Sequence, residues 1–382
     1  MNVLIAGVPK KISSGVRTHT LSLMSGLEEH NIKTSYISSY PQQLDKMITS
    51  VPYRLLNMVD KDVAFNWKFE SLNKYVFRKE VKRSLSNNSI INIQSVDWYY
   101  SVRSFLNNRD IGVVLTIHGA YADQLKEKGY SPRTVEKVLN LEKEAFRSVK
   151  ALVTVSQKTA DYITEISGRT DIHIIPNGII TDSQGLSEKK DTKENKIKCV
   201  FVGSLIKYKG VHFAIEAISK AISKGIDISL DIIGDGPERK ALEKLSSKLG
   251  VERQINFLGM LPQQDVRNRL LNYDISLMPS IPYGEKGEES FPYACLESMY
   301  SGLITIASNV GGLSKIITDG YDGFLVEHSN SDAISKIIER YNGSKEKFNL
   351  IRQNASETIR NNYSASVMAE KYLQVYKSIL KL

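Results

Sequence analysis

Short apolar segments alternate with stretches of helical periodicity along the chain, and this alternation limits the possible folds more than any other feature. The segments that predict strands are Val3–Ala6, Ser89–Ile93, Gly112–Ile117, Leu152–Val155, Ile172–Ile175, Lys198–Val202, Ile228–Ile232, Ile255–Phe257, Ile275–Met278, Leu303–Ala307 and Gly323–Val326. Helical spacing fills the intervals between them. Because a strand–helix–strand order produces parallel strands covered by helices, the sequence predicts an α/β fold of doubly wound, Rossmann-like sheets.

A polar segment at residues 181–196 interrupts this alternation. Its sequence, TDSQGLSEKKDTKENK, is highly charged and has no periodicity, which is typical of a linker. A chain of 382 residues is also long for one core, so we expect two domains, over residues 1–180 and 197–360. Residues 361–382 predict an amphipathic helix that packs back on the first domain through Met368, Tyr372, Val375, Tyr376, Ile379 and Leu380.

Composition excludes several classes of protein. No apolar run approaches the roughly 20 residues that a membrane-spanning helix needs. The first ten residues, MNVLIAGVPK, lack the basic start and the longer apolar core of a signal peptide. The two cysteines, Cys199 and Cys295, lie in apolar segments, which favours a reducing compartment over a disulfide framework. We therefore expect a cytoplasmic protein.

Positive charge is concentrated in the first half of the chain. Residues 1–180 contain 24 Lys and Arg against 17 Asp and Glu (+7), and the remainder contains 27 against 25 (+2), which gives the net +9. This imbalance favours an anionic substrate or membrane surface, and no recognised nucleic-acid-binding module accompanies it. The stretch Val63–Arg83 fits either an interfacial helix on an anionic membrane or a core-packed helix with a basic outer face. Its apolar residues at helical spacing are Phe65, Phe69, Leu72 and Val76.

Two glutamates eight residues apart, Glu289 and Glu297, flank the predicted start of a helix. Pro292 suits the first turn, because its missing N–H is not needed there, and the helix is predicted to run to Tyr300 and to stop at Gly302. Eight helical residues correspond to about 12 Å of rise. Two ordinary solvent-facing glutamates would give the same spacing.

The predicted helix N-terminus between the two carboxylates favours an anion, through the N–H groups of Phe291, Tyr293 and Ala294. Carboxylates accept hydrogen bonds from neighbouring hydroxyls. The order carboxylate, anion site, carboxylate therefore matches the hexose hydroxyls, diphosphate and ribose hydroxyls of a sugar nucleotide.

The same segment resembles the signature of retaining glycosyltransferases of family 4. Those enzymes have a Glu-x7-Glu motif followed by a helix end of small residues, a strand and a Gly-Gly turn. Here the corresponding stretches are Glu289-SFPYACL-Glu297, SMYSG, LITIAS and Asn309-Val310-Gly311-Gly312. Further matches follow the family order at Ile175-Pro176-Asn177-Gly178, Val202-Gly203, Lys209-Gly210, Ile233-Gly234-Asp235-Gly236-Pro237, Phe257-Leu258-Gly259, Met278-Pro279-Ser280 and Asp322-Gly323-Phe324-Leu325-Val326.

The resemblance implies the GT-B fold, with two Rossmann-like domains, a cleft between them and a C-terminal helix that crosses back to the first. It also implies that Glu297 holds the nucleotide ribose, that Glu289 faces the donor sugar and that Lys209 neutralises the leaving diphosphate. The remaining donor-site residues implied in the second domain are Gly203, Ser204, Gly236, Leu258, Phe291, Tyr293 and Ala294.

One position departs from the family pattern. Family members usually have an arginine directly after the glycine of the Val-Gly motif, where this chain has Ser204. One phosphate contact is therefore missing here or comes from another residue, and Arg17 and Lys207 are the candidates.

The first domain has two weaker matches. Gly15 corresponds to the family's glycine-rich loop against the diphosphate, although a helix N-cap by Ser13 or Ser14 would explain the same residues. His118 follows the Gly112–Ile117 strand, and the resemblance implies that it reaches the donor sugar; a satisfied structural histidine is the alternative. His19, on the first helix, is not expected to be a ligand.

No metal site is predicted. The Asp-x-Asp triplet of the chain, Asp60-Lys61-Asp62, lies in a basic, helical region and is predicted to face solvent. No His, Cys or Asp cluster has zinc spacing. We expect no cofactor beyond the sugar nucleotide itself.

The sequence therefore predicts a retaining hexosyltransferase. It would use a UDP- or GDP-hexose and a glycan or lipid-linked acceptor, in bacterial surface polysaccharide synthesis and with peripheral contact to the inner face of the membrane. A GT-B phosphorylase or epimerase and a non-catalytic sugar-nucleotide-binding module are the alternatives.

Overall fold

The computed structural model describes residues 1–7, 15–38, 55–67, 78–85, 89–106, 111–181, 196–282 and 291–381. The chain forms two compact units, Met1–Ile180 with Ala365–Leu382, and Thr181–Ser364. Each unit contains a parallel sheet with helices on its faces, which confirms the predicted doubly wound α/β class.

Within the described residues, the sheet of the first unit has six parallel strands in the order β2-β1-β3-β4-β5-β6. The strands are β1 (Asn2–Gly7), β2 (Lys33–Ser38), β3 (Ser89–Ile93), β4 (Gly112–Ile117), β5 (Ala151–Thr154) and β6 (Ile172–Ile174). The helices between them are α1 (Gly15–Glu29), α2 (Lys61–Trp67), α3 (Arg78–Ser84), α4 (Val96–Leu106), α5 (Tyr121–Glu127), α6 (Pro132–Ser148) and α7 (Gln157–Ser167).

Strand β2 is absent from the strands predicted from the sequence. Among the described strands it lies at the edge of its sheet, where it pairs with β1. Its sequence, KTSYIS, offers little apolar surface, and Ile37 is its buried apolar side chain. An edge strand can satisfy the sheet ladder without the continuous apolar run that a central parallel strand needs.

The last helix of the chain, α15 (Ala365–Leu380), belongs to the first unit and packs on α1. Helices α8 to α14 lie in the second unit. The apolar face of α15 fills one side of the first sheet beside Leu23 and Leu27 of α1 and Val3 and Ile5 of β1. The buried side chains on that face include Met368, Tyr372, Val375 and Tyr376.

The described part of the second unit has its own parallel sheet of six strands, in the order β12-β11-β10-β7-β8-β9. The strands are β7 (Ile197–Val202), β8 (Ile228–Ile233), β9 (Ile255–Gly259), β10 (Ile275–Met278), β11 (Ile304–Ser308) and β12 (Phe324–Val326). The helices are α8 (Val211–Ser223), α9 (Arg239–Lys248), α10 (Gln263–Leu270), α11 (Tyr293–Tyr300), α12 (Leu313–Ile316), α13 (Ser331–Gly343) and α14 (Asn349–Tyr363).

The central strands of both sheets are buried on both faces. All residues of β10 and β11 are buried, as the covering of a parallel sheet by helices requires. The carboxyl ends of parallel strands meet at one edge of a sheet, where ligands of open α/β sheets bind. Most of the sequence motifs fall directly after strands and therefore lie at these edges.

Candidate functional site

In the second unit, the loops that follow β7, β8 and β9 are joined by main-chain hydrogen bonds. The Gly203 N–H donates to the Ile233 carbonyl at 3.0 Å, and the Gly234 N–H donates to the Gly259 carbonyl at 2.8 Å. Gly234 has φ +141°, and a Cβ there would lie 1.9 Å from the Gly203 carbonyl oxygen. Only glycine permits this approach. Backbone atoms of the motif residues therefore form a wall at the carboxyl ends of β7, β8 and β9.

The wall continues through the loop after β8. The Leu205 N–H donates to the Asp235 carbonyl, and the Glu238 N–H donates to the Leu205 carbonyl, each at 3.0 Å. Gly236 lies between these two bonds and is partly exposed. Leu258, at the end of β9, packs partly against the buried cluster that contains Val200 and Ile233.

Lys209 lies in a short 3-10 turn, Lys207–Lys209, that ends at Gly210. Gly210 has φ +62°, and a Cβ there would lie 1.9 Å from the Pro279 carbonyl oxygen. The Ile281 N–H donates to the Tyr208 carbonyl at 2.8 Å, so the turn is attached to the loop after β10. The Lys209 amine lies 5.7 Å from the centre of the Tyr208 ring. Lys207, the first residue of this turn, is exposed, and so is Ser204, three residues before it.

Glu297 lies on α11 and is 6% exposed, so the solvent-facing alternative is wrong for this glutamate. Its Oε1 accepts hydrogen bonds from Gln263 Nε2 at 3.0 Å and from Arg267 Nε at 3.2 Å. A buried carboxylate needs such partners, because desolvation of an unpaired charge is costly. Its position is therefore fixed by two donors on α10.

Gln263 and Arg267 were not identified from the sequence. They are four residues apart on α10, so they face the same side of that helix and reach Glu297 together. Their spacing is visible in QQDVRNRL, but nothing in the sequence connects that helix to Glu297.

Helix α11 begins at Tyr293 with Pro292 as its N-cap, and Gly302 has φ +69° just beyond its end. This start and end match the predicted helix. Phe291, Tyr293 and Ala294 are partly exposed at its N-terminus, and the Phe291 ring centre lies 5.5 Å from that of Tyr363. Glu289 lies outside the described residues.

In the first unit, His118 follows β4 and is partly exposed. Its Nε2 lies 2.8 Å from Oε1 of Gln94, a residue that follows β3. Burial, and to a smaller extent the neighbouring His19, holds the pKa of His118 well below its usual range. The imidazole is therefore uncharged at neutral pH.

His19 is buried behind His118, with the ring centres 4.8 Å apart and nearly perpendicular. Its Nδ1 lies 2.9 Å from Asn177 Oδ1, and its Nε2 lies 3.2 Å from the Tyr372 hydroxyl. Burial lowers the pKa of His19 to about 4, although the hydrogen bond with Asn177 opposes that shift. His19 is thus a structural neighbour of His118, and Asn177 of the Ile-Pro-Asn-Gly motif is tied to it.

Gly15 is the first residue of α1 and is exposed. A Cβ at this position would meet nothing within 4 Å, so the described structure imposes no steric need for glycine there. Ser13 and Ser14, the alternative capping residues, lie outside the described residues. Arg17 lies on α1. Burial raises the pKa of Tyr36 to about 12, and the positive charge of Arg17 opposes that shift.

The predicted solvent-facing triplet has Asp60 exposed and Asp62 partly exposed, and both carboxylates also cap helix starts. Asp60 Oδ1 accepts from the Asp62 and Val63 N–H groups at the start of α2. Asp62 accepts from the N–H and the hydroxyl of Ser131, the residue before α6. Among the described residues, no group of three His, Cys, Asp or Glu could hold a metal ion.

The stretch Val63–Arg83 is described at its two ends. Phe65 of α2 is buried and lies 5.5 Å from the Tyr130 ring centre, and Val81 of α3 is also buried. Phe69, Leu72 and Val76 lie outside the described residues. Among the described helices, none is both long and apolar enough to cross a bilayer.

Two family models match the chain. Glycosyltransferase Family 4 matches residues 13–183, and Glycosyl transferases group 1 matches residues 182–358. An uncharacterised glycosyltransferase of Methanocaldococcus jannaschii is 30% identical over 183 residues, which are 48% of this chain and 45% of that protein. The lipopolysaccharide core biosynthesis glycosyltransferase LpsE of Rhizobium meliloti is 25% identical over 235 residues, which are 61% of this chain and 66% of that protein. The chain thus spans between about half and two thirds of the length of these relatives.

The solved structure of HepE from Anabaena in complex with UDP superposes with a TM-score of 0.69. The superposition covers 99% of this chain and 100% of that one at 18% sequence identity. This likeness shows that the two chains share a fold.

Proposed function

Two glycosyltransferase family models, which together span residues 13–358, indicate that the chain is a member of the GT-B glycosyltransferases, and on that premise we propose that it is a retaining hexosyltransferase. It transfers a hexose from a UDP- or GDP-sugar to a hydroxyl group of a glycan or lipid-linked acceptor. The observation that carries the proposal is the buried carboxylate of Glu297 on α11, the helix whose N-terminus is the candidate anion site. Gln263 and Arg267 of α10 hold that carboxylate.

The second unit binds the nucleotide in this proposal. Glu297 accepts hydrogen bonds from the ribose hydroxyls, and the loop at Leu258 lies against the base. Lys209 and the N-terminus of α11 stabilise the diphosphate as negative charge develops on it, so no metal ion or cofactor is required. The other residues of this donor site are Gly203, Ser204, Gly236, Phe291, Tyr293 and Ala294.

The donor sugar meets Glu289 and His118, and the diphosphate is also approached by the segment at Gly15. The leaving phosphate helps to deprotonate the acceptor hydroxyl in a front-face substitution. For that reason no side chain is assigned as catalytic base.

A lipid-linked acceptor would bring the first unit to an anionic membrane surface. Met58 and Val59 are 84% and 88% exposed, and Leu55 and Val63 beside them are also exposed. This apolar patch lies in the half of the chain that carries +7. Exposed apolar side chains in a segment of net positive charge suit peripheral contact with anionic lipid. We place the enzyme in the cytoplasm, in contact with the inner face of the membrane, in polysaccharide synthesis.

The proposal is tested by incubating the protein with UDP-glucose, UDP-galactose, UDP-N-acetylglucosamine and GDP-mannose, and following each donor by ³¹P and ¹H NMR. Slow transfer to water should release the nucleoside diphosphate from one donor, and the first sugar anomer to appear should have the donor's configuration. Inversion of the anomer would contradict the retaining mechanism.

The same samples with inorganic phosphate separate the alternatives. A sugar phosphate that forms only when inorganic phosphate is added would favour a phosphorylase. A sugar nucleotide whose sugar has changed configuration while its diphosphate stays intact would favour an epimerase. Nucleotide binding without turnover of any donor would favour a non-catalytic binding module.

A further inference from the structure

A network of buried polar side chains runs through the first unit and ends at His118. It joins residues that are far apart in the sequence, on α1, β3, β4 and α15. Apart from His118, its members lie in the unit's interior and are Asn92, Gln94, Thr116, His19, Asn177, Tyr372 and Tyr376. Buried polar groups are costly unless paired, so the members of this network hold one another in place.

Asn92 is the centre of the network. Its Oδ1 accepts hydrogen bonds from Thr116 Oγ1 and from Gln94 Nε2, both at 2.9 Å. Its Nδ2 donates to the Tyr376 hydroxyl at 2.8 Å. The carboxamide of Asn92 is thus held by β4 on one side and by α15 on the other.

This arrangement fixes the carboxamide of Gln94. Because its Nε2 donates to Asn92, its Oε1 faces His118 Nε2 at 2.8 Å. A carbonyl oxygen only accepts hydrogen bonds, so His118 must carry its proton on Nε2. The ring is uncharged, since burial holds the pKa of His118 low, and Nδ1 therefore keeps its lone pair.

We propose that Gln94 is a positioning residue that holds His118 in the Nε2-protonated tautomer, so that Nδ1 can accept a hydrogen bond from a hydroxyl of the donor sugar. The inference rests on the proposed function, because it assumes that His118 meets that sugar. Thr116 and Tyr376 act one step further away, by holding the Asn92 carboxamide to which Gln94 donates.

The tautomer can be measured without any donor. The full chain is labelled with ¹⁵N at the ring nitrogens of its six histidines, and the His118 signals are assigned as those lost in His118→Phe. In the wild type, Nε2 should show the shift of a protonated ring nitrogen and Nδ1 that of an unprotonated one, at neutral pH.

Two variants at position 94 separate positioning from folding. Gln94→Leu removes the acceptor, so both ring nitrogens should move toward averaged shifts as the tautomers exchange. Gln94→Glu retains an acceptor oxygen and should keep the proton on Nε2. The control Gln157→Leu changes an exposed glutamine of α7 in the same unit and should leave the His118 signals unchanged.

A proton on Nδ1 in the wild type, or unchanged His118 signals in a folded Gln94→Leu, would overturn the inference. Once a donor is identified, Gln94→Leu should also lower kcat by up to about 100-fold, since a misplaced contact at a reacting centre costs that much. If the NMR result holds and no donor turns over, the glycosyltransferase proposal fails while the tautomer assignment stands.

Discussion

The two units build their candidate sites in different ways. In the second unit, main-chain atoms of short loops pack on one another, and glycines at Gly210 and Gly234 allow the approach. In the first unit, His118 is held by side chains from distant parts of the chain, including Gln94 and Tyr376. A backbone-built site is sensitive to added atoms, whereas a side-chain network is sensitive to lost hydrogen bonds and to protonation.

The largest effect is expected from Gly210→Ala. The new Cβ would lie 1.9 Å from the Pro279 carbonyl oxygen, at a residue with φ +62°. Steric overpacking and left-handed strain should together lower the free energy of unfolding by about 4 kcal/mol, measured by urea denaturation.

The matched control for that substitution is Gly250→Ala. Gly250 has φ +68°, and an added Cβ there would meet nothing within 4 Å. Its cost should be about 1 kcal/mol, from backbone strain alone. Equal costs for the two variants would show that the contact with Pro279 is not what requires glycine.

The network of the first unit should titrate through His19. Burial lowers its pKa from 6.5 to about 4, so below pH 6.5 the unfolded chain binds a proton that the folded chain excludes. The contribution of uncharged His19 to the free energy of unfolding is therefore fully present above pH 6.5. It should fall by about 3 kcal/mol as the pH decreases from 6.5 to 4.

Urea denaturation between pH 7 and pH 4 measures this loss. His19→Gln should be less stable at pH 7 but should lose less stability on acidification than the wild type does. Gln157→Leu, at an exposed residue of α7, is the control and should leave the pH dependence as it is. If His19→Gln loses as much stability as the wild type between pH 7 and pH 4, the folded protein does not exclude the proton from His19.

Arg267→Met tests whether the second unit also depends on a side-chain contact. The variant leaves the buried Glu297 with Gln263 as its donor, so the free energy of unfolding should decrease by about 2 kcal/mol. Nucleotide affinity should decrease too, because the carboxylate is no longer held. Arg253→Met, at an exposed position, should do neither. If Arg267→Met is as stable as the wild type, the packing of α11, and not the contact with Arg267, holds Glu297 in place.

The smallest effect is expected from Tyr376→Phe. It removes the hydroxyl that pairs with Asn92 Nδ2 and leaves that buried amide without its partner, at about 1 kcal/mol. Tyr321→Phe removes an exposed hydroxyl and should have no measurable effect. Equal denaturation midpoints for wild type and Tyr376→Phe would show that the Asn92 contact contributes no net stability.

The same contrast explains what could be predicted from the sequence. Central strands such as β4 and β11 are continuous apolar runs because both of their faces are buried. Backbone contact requires glycine in the loops after β7 and β8, at Gly210 and Gly234. The edge strand β2 does not need a continuous apolar run, so its sequence did not predict a strand.

The contacts that hold Glu297 and His118 were beyond sequence reasoning. Gln263 and Gln94 are ordinary polar residues whose partners are 34 and 24 positions away. Only the packing of α10 on α11, and of β3 beside β4, brings them together. Pattern reasoning detects local periodicity and short motifs, and a single polar residue carries no such pattern.

The central claim is that the second unit binds a nucleoside diphosphate through Glu297. Isothermal titration calorimetry of UDP, GDP and ADP, with the wild type and with Glu297→Ala, tests it most directly. We predict clear preference for one nucleotide in the wild type and loss of that binding in a folded Glu297→Ala variant. Absence of binding for all three nucleotides to the folded wild type, or equal binding by the variant, would contradict the account.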